Sequence, residues 1–409
     1  VSDLSDAVLP LIRSRGDLHR WSAANAHGAQ MHQGVDLLEA AETDDPAEVF
    51  AVTQRAIKSA TTLIMRADDS SGIIGSAVQR LLALHARTAA PAGAPVFKLV
   101  PWLMKFQFEQ ECDFFHVDPV AYAPALGDTG MVAYRRALAE RRALLGPEPA
   151  EEDSWQSPAS HDWFTIHYND QRLAVFDRDV EAIIRTHARD ERVAAWVEDA
   201  AQALEEIEEY DLAIEWTERA VRHPNGGHQS ITAARYLGEL LKKHRPDALL
   251  AARLDIFDRW PSATHANEVR EAAGSGWADL SEMVLSRLQA NPRQAVSFAL
   301  LCLKEPQLAW TLAYDLGLDD ASLWSELLKA YEKVDPLATV QKHTELAIGE
   351  LAVADARNYR AGARRLARLR KLVAGTSRAV EVDDLIATLR DEHRRRPRLQ
   401  QEFTKAGLP

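Results

Sequence analysis

The sequence predicts an all-α fold, with helical hairpins stacked in series as an α-solenoid behind an N-terminal helical region. Three observations carry this expectation. Apolar residues recur at three and four positions through nearly every segment between breaks. Alanine and leucine, both strong helix formers, fill one such segment after another. Proline and glycine then punctuate the chain so that helices fall into successive pairs. The pairs are irregularly spaced, so a closed α-helical bundle is the competing arrangement.

Helices are expected near 4–13, 33–41, 46–65, 72–88 and 96–110. Asp45-Pro46 sets a cap acceptor before a residue whose missing amide costs nothing in a first turn, and Asp118-Pro119 repeats the device. A short helical turn from Pro119 should reach Ala125 and break at Gly127 and Gly130. A helix from Met131 to Leu145 should follow. Gly146 to Ser160 contains three prolines and four carboxylates and reads as a linker. It separates an N-terminal helical domain, 1–145, from a helical-repeat domain with a basic C-terminal region, 161–409. Phe164-Thr165-Ile166-His167-Tyr168 reads as a short extended segment or an irregular connection.

Beyond the linker the pairing is clearest. Val193, Trp196, Val197, Ala200, Ala201 and Leu204 form one stripe; Tyr210, Ala213, Ile214, Thr217, Ala220 and Val221 form the next. His223-Pro224-Asn225-Gly226-Gly227 ends the second helix. Arg245-Pro246, Trp260-Pro261, Asn291-Pro292, Glu305-Pro306 and Asp335-Pro336 punctuate later pairs, the last three near helix starts. Long helices are expected over 337–351 and 359–373.

Glu209 to Pro224 resembles the second half of a tetratricopeptide repeat, with Tyr210, Ala213, Ala220 and Pro224 at the packing and termination positions of that family. Glu208 stands where its turn usually has glycine. A broader resemblance is to the helical region of bacterial SWIM zinc-finger proteins and related actinobacterial proteins. It runs through Arg66 to Gly75, Asp118 to Gly130, Tyr359 to Leu366 and Leu389 to Leu408. That finger needs a CxC pair, which this chain lacks, so the resemblance implies a scaffold and carries over no metal or DNA chemistry.

Composition narrows the classes further. The 409 residues are 46% hydrophobic with a formal charge of −13, which suits a folded protein and disfavours one that holds nucleic acid over its whole surface. Two cysteines, Cys112 and Cys302, cannot form a four-thiolate zinc site. The apolar run Ala295 to Leu303 is about half of a membrane crossing. An acidic, polar start and this cysteine usage point to a cytoplasmic protein without a membrane role. The ten tryptophans are expected mainly between helices, with one or two lining a peptide groove.

Two clusters could carry chemistry. Cys112 and His116, one turn apart if helical, with Asp118 and the nearby Glu109 and Glu111, could edge a metal; the simpler and preferred reading is a buried cysteine and a helix-terminal histidine, with Asp118 capping the helix opened by Pro119. His161, Asp162, His167 and Asp170 could supply a base with its orienting carboxylate, or ligands of a hydrolytic metal. No glycine-rich elbow, HExxH or paired-aspartate signature accompanies them. Gly72-Ile73-Ile74-Gly75 lacks the third glycine and acidic partner of a nucleotide loop. A metal-dependent hydrolase is therefore an alternative, and the primary expectation includes no resident metal or cofactor.

Charge asymmetry is the most specific surface signal. Residues 357–409 hold 14 Lys plus Arg against six Asp plus Glu, a local excess of +8. The primary expectation is a non-catalytic interaction scaffold. Its acidic contact set is Glu205, Glu206, Glu208 and Glu209; its basic set is Arg364, Arg365, Arg368, Arg394, Arg395 and Arg396. The partner is another protein or a second copy of the chain. Nucleic-acid association through the basic C-terminal helices is a further alternative, weakened by the scarcity of aromatics there.

Overall fold

The computed structural model describes residues 3–109, 114–149 and 160–409. These residues are α-helical throughout; an isolated parallel bridge between Leu18 and Ala67 is the only extended pairing among them. The chain divides into two compact units, Val1–Leu237 and Gly238–Pro409, and the division falls inside one helix. Most of the 146–160 segment lies outside the described residues. The helices on either side of it pack together, joined by Arg141–Asp162 and Arg142–Asp170 ion pairs.

The first unit begins with α1 (Asp3–Ile12), α2 (Trp21–Ala41), α3 (Pro46–Ile64) and α4 (Ile73–Ala89). Then come α5 (Val96–Phe108), α6 (Pro119–Leu145) and α7 (Ser160–Phe176). The helix α8 (Val180–Ile183) widens into a π-turn over Ile184–Ala188, and α9 (Ala194–Glu206), α10 (Tyr210–Val221) and α11 (His228–His244) follow. Sequence neighbours pair: α1 with α2, α3 with α4, α6 with α7, α9 with α10. One core runs from Val8 through Met31, Ile57, Leu81 and Tyr122 to Ile166 and Leu173, so α7 shares it with the helices before the 146–160 segment.

The second unit contains α12 (Leu249–Arg259), α13 (Ala263–Ala273), α14 (Trp277–Leu288) and α15 (Pro292–Ser297), which again widens into a π-turn, Phe298–Cys302. It continues with α16 (Pro306–Asp315), α17 (Ala321–Tyr331), α18 (Val340–Ala352), α19 (Ala356–Val373), α20 (Ala379–Glu392) and α21 (Pro397–Lys405). Helices pair in sequence here too, α12 with α13, α16 with α17 and α18 with α19. This is an all-α, helical-repeat arrangement.

Three expectations need correction. Helix α2 starts at Trp21, well before residue 33, and Gly28 and Gly34 lie inside it at close contacts with neighbouring helices. A Cβ on Gly28 would lie 2.5 Å from Ile73 Cγ2, and one on Gly34 would lie 3.2 Å from Ile12 Cδ1. Phe164 to Tyr168 lies wholly within α7, where Thr165, Ile166, Asn169 and Leu173 form a buried stripe whose polar members disguise the period. Asp335-Pro336 opens a turn whose aspartate accepts the amides of Leu337 and Ala338, and α18 begins only at Val340. Elsewhere the caps match expectation: Asp45 accepts from Glu48 N, and Asp118 from Val120 N. Gly127 kinks α6 with φ 57° and ψ −175°.

The turns between paired helices share a device. At Arg178, Glu208 and Lys304 the backbone enters the positive-φ region with charged residues in place of glycine. The next residue, Asp179, Glu209 or Glu305, takes the N-cap position of the following helix, Asp179 alone of the three with a side-chain bond to a first-turn amide. At Glu208 the bonds form a full Schellman motif, Glu209 N to Leu204 O and Glu208 N to Glu205 O. A non-glycine residue there costs on the order of 1 kcal/mol. Glu208→Gly should therefore raise the unfolding free energy by about 0.5–1 kcal/mol in urea titration, since glycine adopts this φ freely and its added unfolded-state entropy offsets part of the gain.

The first unit's core contains buried polar groups with contrasting outcomes. Gln107 Nε2 donates to the Tyr134 hydroxyl at 2.9 Å, Tyr134 donates to Asn169 Oδ1 at 2.5 Å, and Asn169 Nδ2 donates back to Gln107 Oε1 at 2.8 Å. The closed ring fixes α5, α6 and α7 with its members satisfied. His85, fully buried, stacks on Phe50 at 4.2 Å and lies 4.2 Å from Trp102. Its Nδ1 shares a 2.8 Å hydrogen bond with the Tyr122 hydroxyl, whereas Nε2 has no partner.

Burial pushes the His85 pKa down to about 3 from 6.5. The unfolded chain therefore binds this proton more readily, and the stability tied to neutral His85 is intact above pH 6.5 and lost as pH falls toward 3. The slope is about 1.4 kcal/mol per pH unit. His85→Phe should flatten the fall in unfolding free energy between pH 6 and 4 by about 1 kcal/mol per unit, measured against wild type in urea titrations.

Candidate functional site: an arginine–tryptophan cleft

In the first unit a cleft of about 830 Å³ opens between the outer face of α7, the π-turn and the start of α9. Helix α7 contributes His161, Trp163, Phe164, His167 and Asp170, all on one side because its opposite stripe is buried. The π-turn and its exit contribute Arg185, Thr186, Arg189, Asp190 and Arg192, and α9 contributes Trp196.

The π-turn has a local cause. The Thr186 hydroxyl donates to Ala182 O at 2.8 Å, and His187 Nδ1 lies 3.0 Å from Ile183 O, so both side chains draw on carbonyls one turn back. The chain then reverses through Ala188-Arg189-Asp190-Glu191, closed by Glu191 N to Ala188 O at 2.8 Å. Arg189 takes φ 53° and ψ −118°, the first central position of a type II′ turn, which calls for glycine. The same angles recur at the end of α13, where the residue is Gly274. Holding an arginine in that conformation costs about 1–3 kcal/mol. Its guanidinium stacks 4.6 Å from the centre of the Trp196 ring.

Charge pairing separates the groups already engaged from those available. Glu148 lies 2.8 Å from His167 Nε2, and both oxygens of Asp170 accept from Arg142, at 2.5 and 2.6 Å. Asp190 is paired with Arg192, and Asp162 is turned out of the cleft onto Arg141 at 2.5 Å. Arg185 and Arg189 are exposed and have no ion pair among the described residues. Among the described residues the cleft therefore presents two guanidiniums outside any ion pair beside aromatic faces, Arg189 also feeling the charge of Asp199, and its carboxylates are already engaged.

The other predicted residues separate. Cys112 and Glu111 lie outside the described residues, and Glu109 closes α5. His116 is in an irregular segment, not one turn along a helix, and stacks on Tyr168 at 4.8 Å. Asp118 caps α6 and accepts from Arg172 at 2.9 and 2.8 Å. Among the described residues no group of three or more His, Cys, Asp or Glu could hold a metal ion.

In the acidic set, Glu205 accepts from the Tyr236 hydroxyl at 2.8 Å and Glu206 pairs with Arg172 at 2.6 Å; Glu208 and Glu209 form the exposed corner. In the basic set, Arg365 pairs with Glu350 at 2.6 Å, Arg368 with Glu332, and Arg394 with Asp391 at 3.2 Å. Arg396 donates to Leu351 O at 3.0 Å, while Arg364 and Arg395 are exposed. Several tryptophans pack between helices: Trp310 stacks on Tyr331 at 4.3 Å, and buried Trp324 donates to Leu318 O.

Sequence reasoning missed Arg185 and Arg189. Their i, i+4 spacing is visible, but a charged stretch ending in Arg189-Asp190-Glu191-Arg192 reads as an ordinary solvated turn. No protein-family model and no curated protein matches the chain. No helix of the described residues is long and apolar enough to cross a membrane.

Arg172 holds the cleft's supporting helices together, with its side chain only 16% exposed between Asp118 and Glu206. Hydrogen bonds to both carboxylates outweigh its desolvation and raise its pKa. Arg172→Ala should lower the unfolding free energy by about 2 kcal/mol, measured by urea titration at neutral pH, because it strands two carboxylates.

Proposed function

We propose that the chain is a non-catalytic interaction scaffold of the cytoplasm, a tetratricopeptide-like helical-repeat protein whose cleft receives an acidic, aromatic-bearing segment of a partner protein. The observation that carries this reading is Arg189, kept in a glycine conformation with its guanidinium in no ion pair among the described residues and stacked on Trp196. A conformation that costs stability, occupied by a large side chain aimed into a cleft, points to a use for that side chain. Two guanidiniums outside any ion pair among the described residues suit carboxylates, which they bind bidentately, and the cleft's rings suit an aromatic anchor.

The tetratricopeptide-like character is supported by the α9–α10 hairpin, whose corner puts Glu208 at the positive-φ turn position usually held by glycine. The resemblance to the helical region of bacterial SWIM zinc-finger proteins fits the same role, since it implies a scaffold. With the cleft's carboxylates already in ion pairs, recognition accounts for its chemistry better than proton transfer.

Fluorescence polarisation with labelled Asp/Glu-rich peptides carrying one aromatic residue tests this. Saturable binding should weaken at least tenfold in Arg185→Ala and in Trp196→Ala, and with Asn/Gln versions of the peptide. Arg189→Gly should separate the two properties, raising the unfolding free energy by about 1 kcal/mol while weakening binding to the same degree. Absence of saturable binding to any such peptide up to about 1 mM would overturn the reading.

A further inference from the structure

The second unit carries a separate charged surface. On α19, Arg357, Arg360, Arg364, Arg368 and Lys371 follow one another at spacings of three, four, four and three, and all five are exposed. At about 100° per residue they fall within an arc of roughly 80°, and at 1.5 Å rise they extend over about 21 Å. The opposite face, Tyr359, Gly362, Ala363, Leu366, Leu369 and Val373, is buried. A Cβ on Gly362 would meet Leu351 Cδ2 at 2.7 Å, so α19 lies close against α18 and cannot roll about its axis.

The flanking cations are committed elsewhere, Arg365 to Glu350 and Arg370 to Asp383, each at 2.6 Å. Two ridge members have acidic neighbours. Arg368 meets Glu332, itself shared with His343, and Arg360 lies 3.8 Å from Glu402, which Lys405 also neutralises. Arg357, Arg364 and Lys371, a heptad apart, make no ion pair among the described residues. Asp355, the cap of α19, has its pKa lowered first by hydrogen bonds from the Asn358 and Arg357 amides and then by the charge of nearby Arg357.

We propose that this ridge docks the phosphate backbone of duplex nucleic acid without reading its sequence. A protein partner needs aromatic or aliphatic anchors at the centre of its contact, and the ridge has none. Sequence-tolerant binding of single strands rests on aromatic stacking, again missing from it. Insertion into a bilayer needs a free apolar face, and that of α19 is buried. A duplex backbone requires only a line of cations, and 21 Å covers about six phosphates of one strand.

Fluorescence anisotropy on the full chain with two labelled duplexes of about 20 base pairs and unrelated sequence tests the proposal. The two affinities should agree within about threefold. With three to four phosphates neutralised, affinity should fall roughly 40- to 150-fold between 50 and 200 mM salt. The triple variant Arg357→Gln, Arg364→Gln, Lys371→Gln should bind at least tenfold more weakly at low salt and with a flatter salt dependence. Its circular dichroism and unfolding midpoint should match wild type. A control with Lys304→Gln, Lys329→Gln and Lys333→Gln should keep most of the affinity. No duplex binding at 50 mM salt, an unaffected triple variant or an equally damaged control would overturn the proposal. Stronger ridge-dependent binding to phosphatidylserine vesicles or to polyglutamate would overturn it as well.

Discussion

Each helix here buries one apolar stripe against a neighbour close in sequence, and that is feasible only if the chain reverses within a few residues. The corners at Arg178, Glu208 and Lys304 achieve this by a single left-handed residue followed at once by an acidic cap. The left-handed residue lets late amides reach back to the orphan carbonyls of the finished helix. The acid stands at the N-terminus of the next, where Asp179 accepts from Ala182 N and Glu209 and Glu305 contribute their charge. Because both ends are satisfied at the corner, consecutive helices start in contact, and local pairing dominates both units. Topologies rich in such local contacts close their loops at low entropic cost.

What was legible in the sequence follows from this locality. Proline starts, aspartate caps and apolar stripes are short-range signals, and α3, α4, α16 and α19 lie close to where those signals put them. The misreadings share one cause, residues whose role depends on a partner distant in sequence. Residues 21–32 carry no clear stripe until Gly28 is seen against Ile73, and Phe164 to Tyr168 reads as extended or irregular until Asn169 is seen in its ring with Gln107 and Tyr134. All four residues of the cluster His161, Asp162, His167 and Asp170 lie on α7, and Asp162 turns away to Arg141. Their partners Glu148 and Arg142 could not be assigned from spacing, and those partners change the chemistry the cluster offers.

Net charge is a poor guide to such a surface. The sequence carries −13, yet the relevant quantity is which charges lack a neighbour within a few ångströms. At physiological ionic strength the screening length is about 8 Å, so a ridge of cations acts through its own surroundings more than through the distant acidic excess. By the same reasoning, dense clusters can be silent. Arg394 is turned to Asp391 and Arg396 to a carbonyl, so that part of the arginine-rich turn at 394–398 is consumed at home, whereas the more dilute series on α19 keeps three members out of ion pairs among the described residues.

Strain provides the complementary argument for the cleft. Glu208 and Arg189 both occupy positive-φ conformations, but they differ in what the side chain does there. At Glu208 the conformation serves the Schellman bonds of a corner, and its carboxylate is exposed at the turn. At Arg189 a tighter II′ reversal demands glycine more strongly, as Gly274 shows at the same angles, and the side chain is stacked on an aromatic ring inside a cavity. A backbone that would be more stable with glycine, combined with a guanidinium that shares its cleft with Arg185, is the argument for a use of the side chain itself. The proposed recognition surface of the first unit therefore lies at the exit of its π-turn, where Arg185, Arg189 and Trp196 line one cleft.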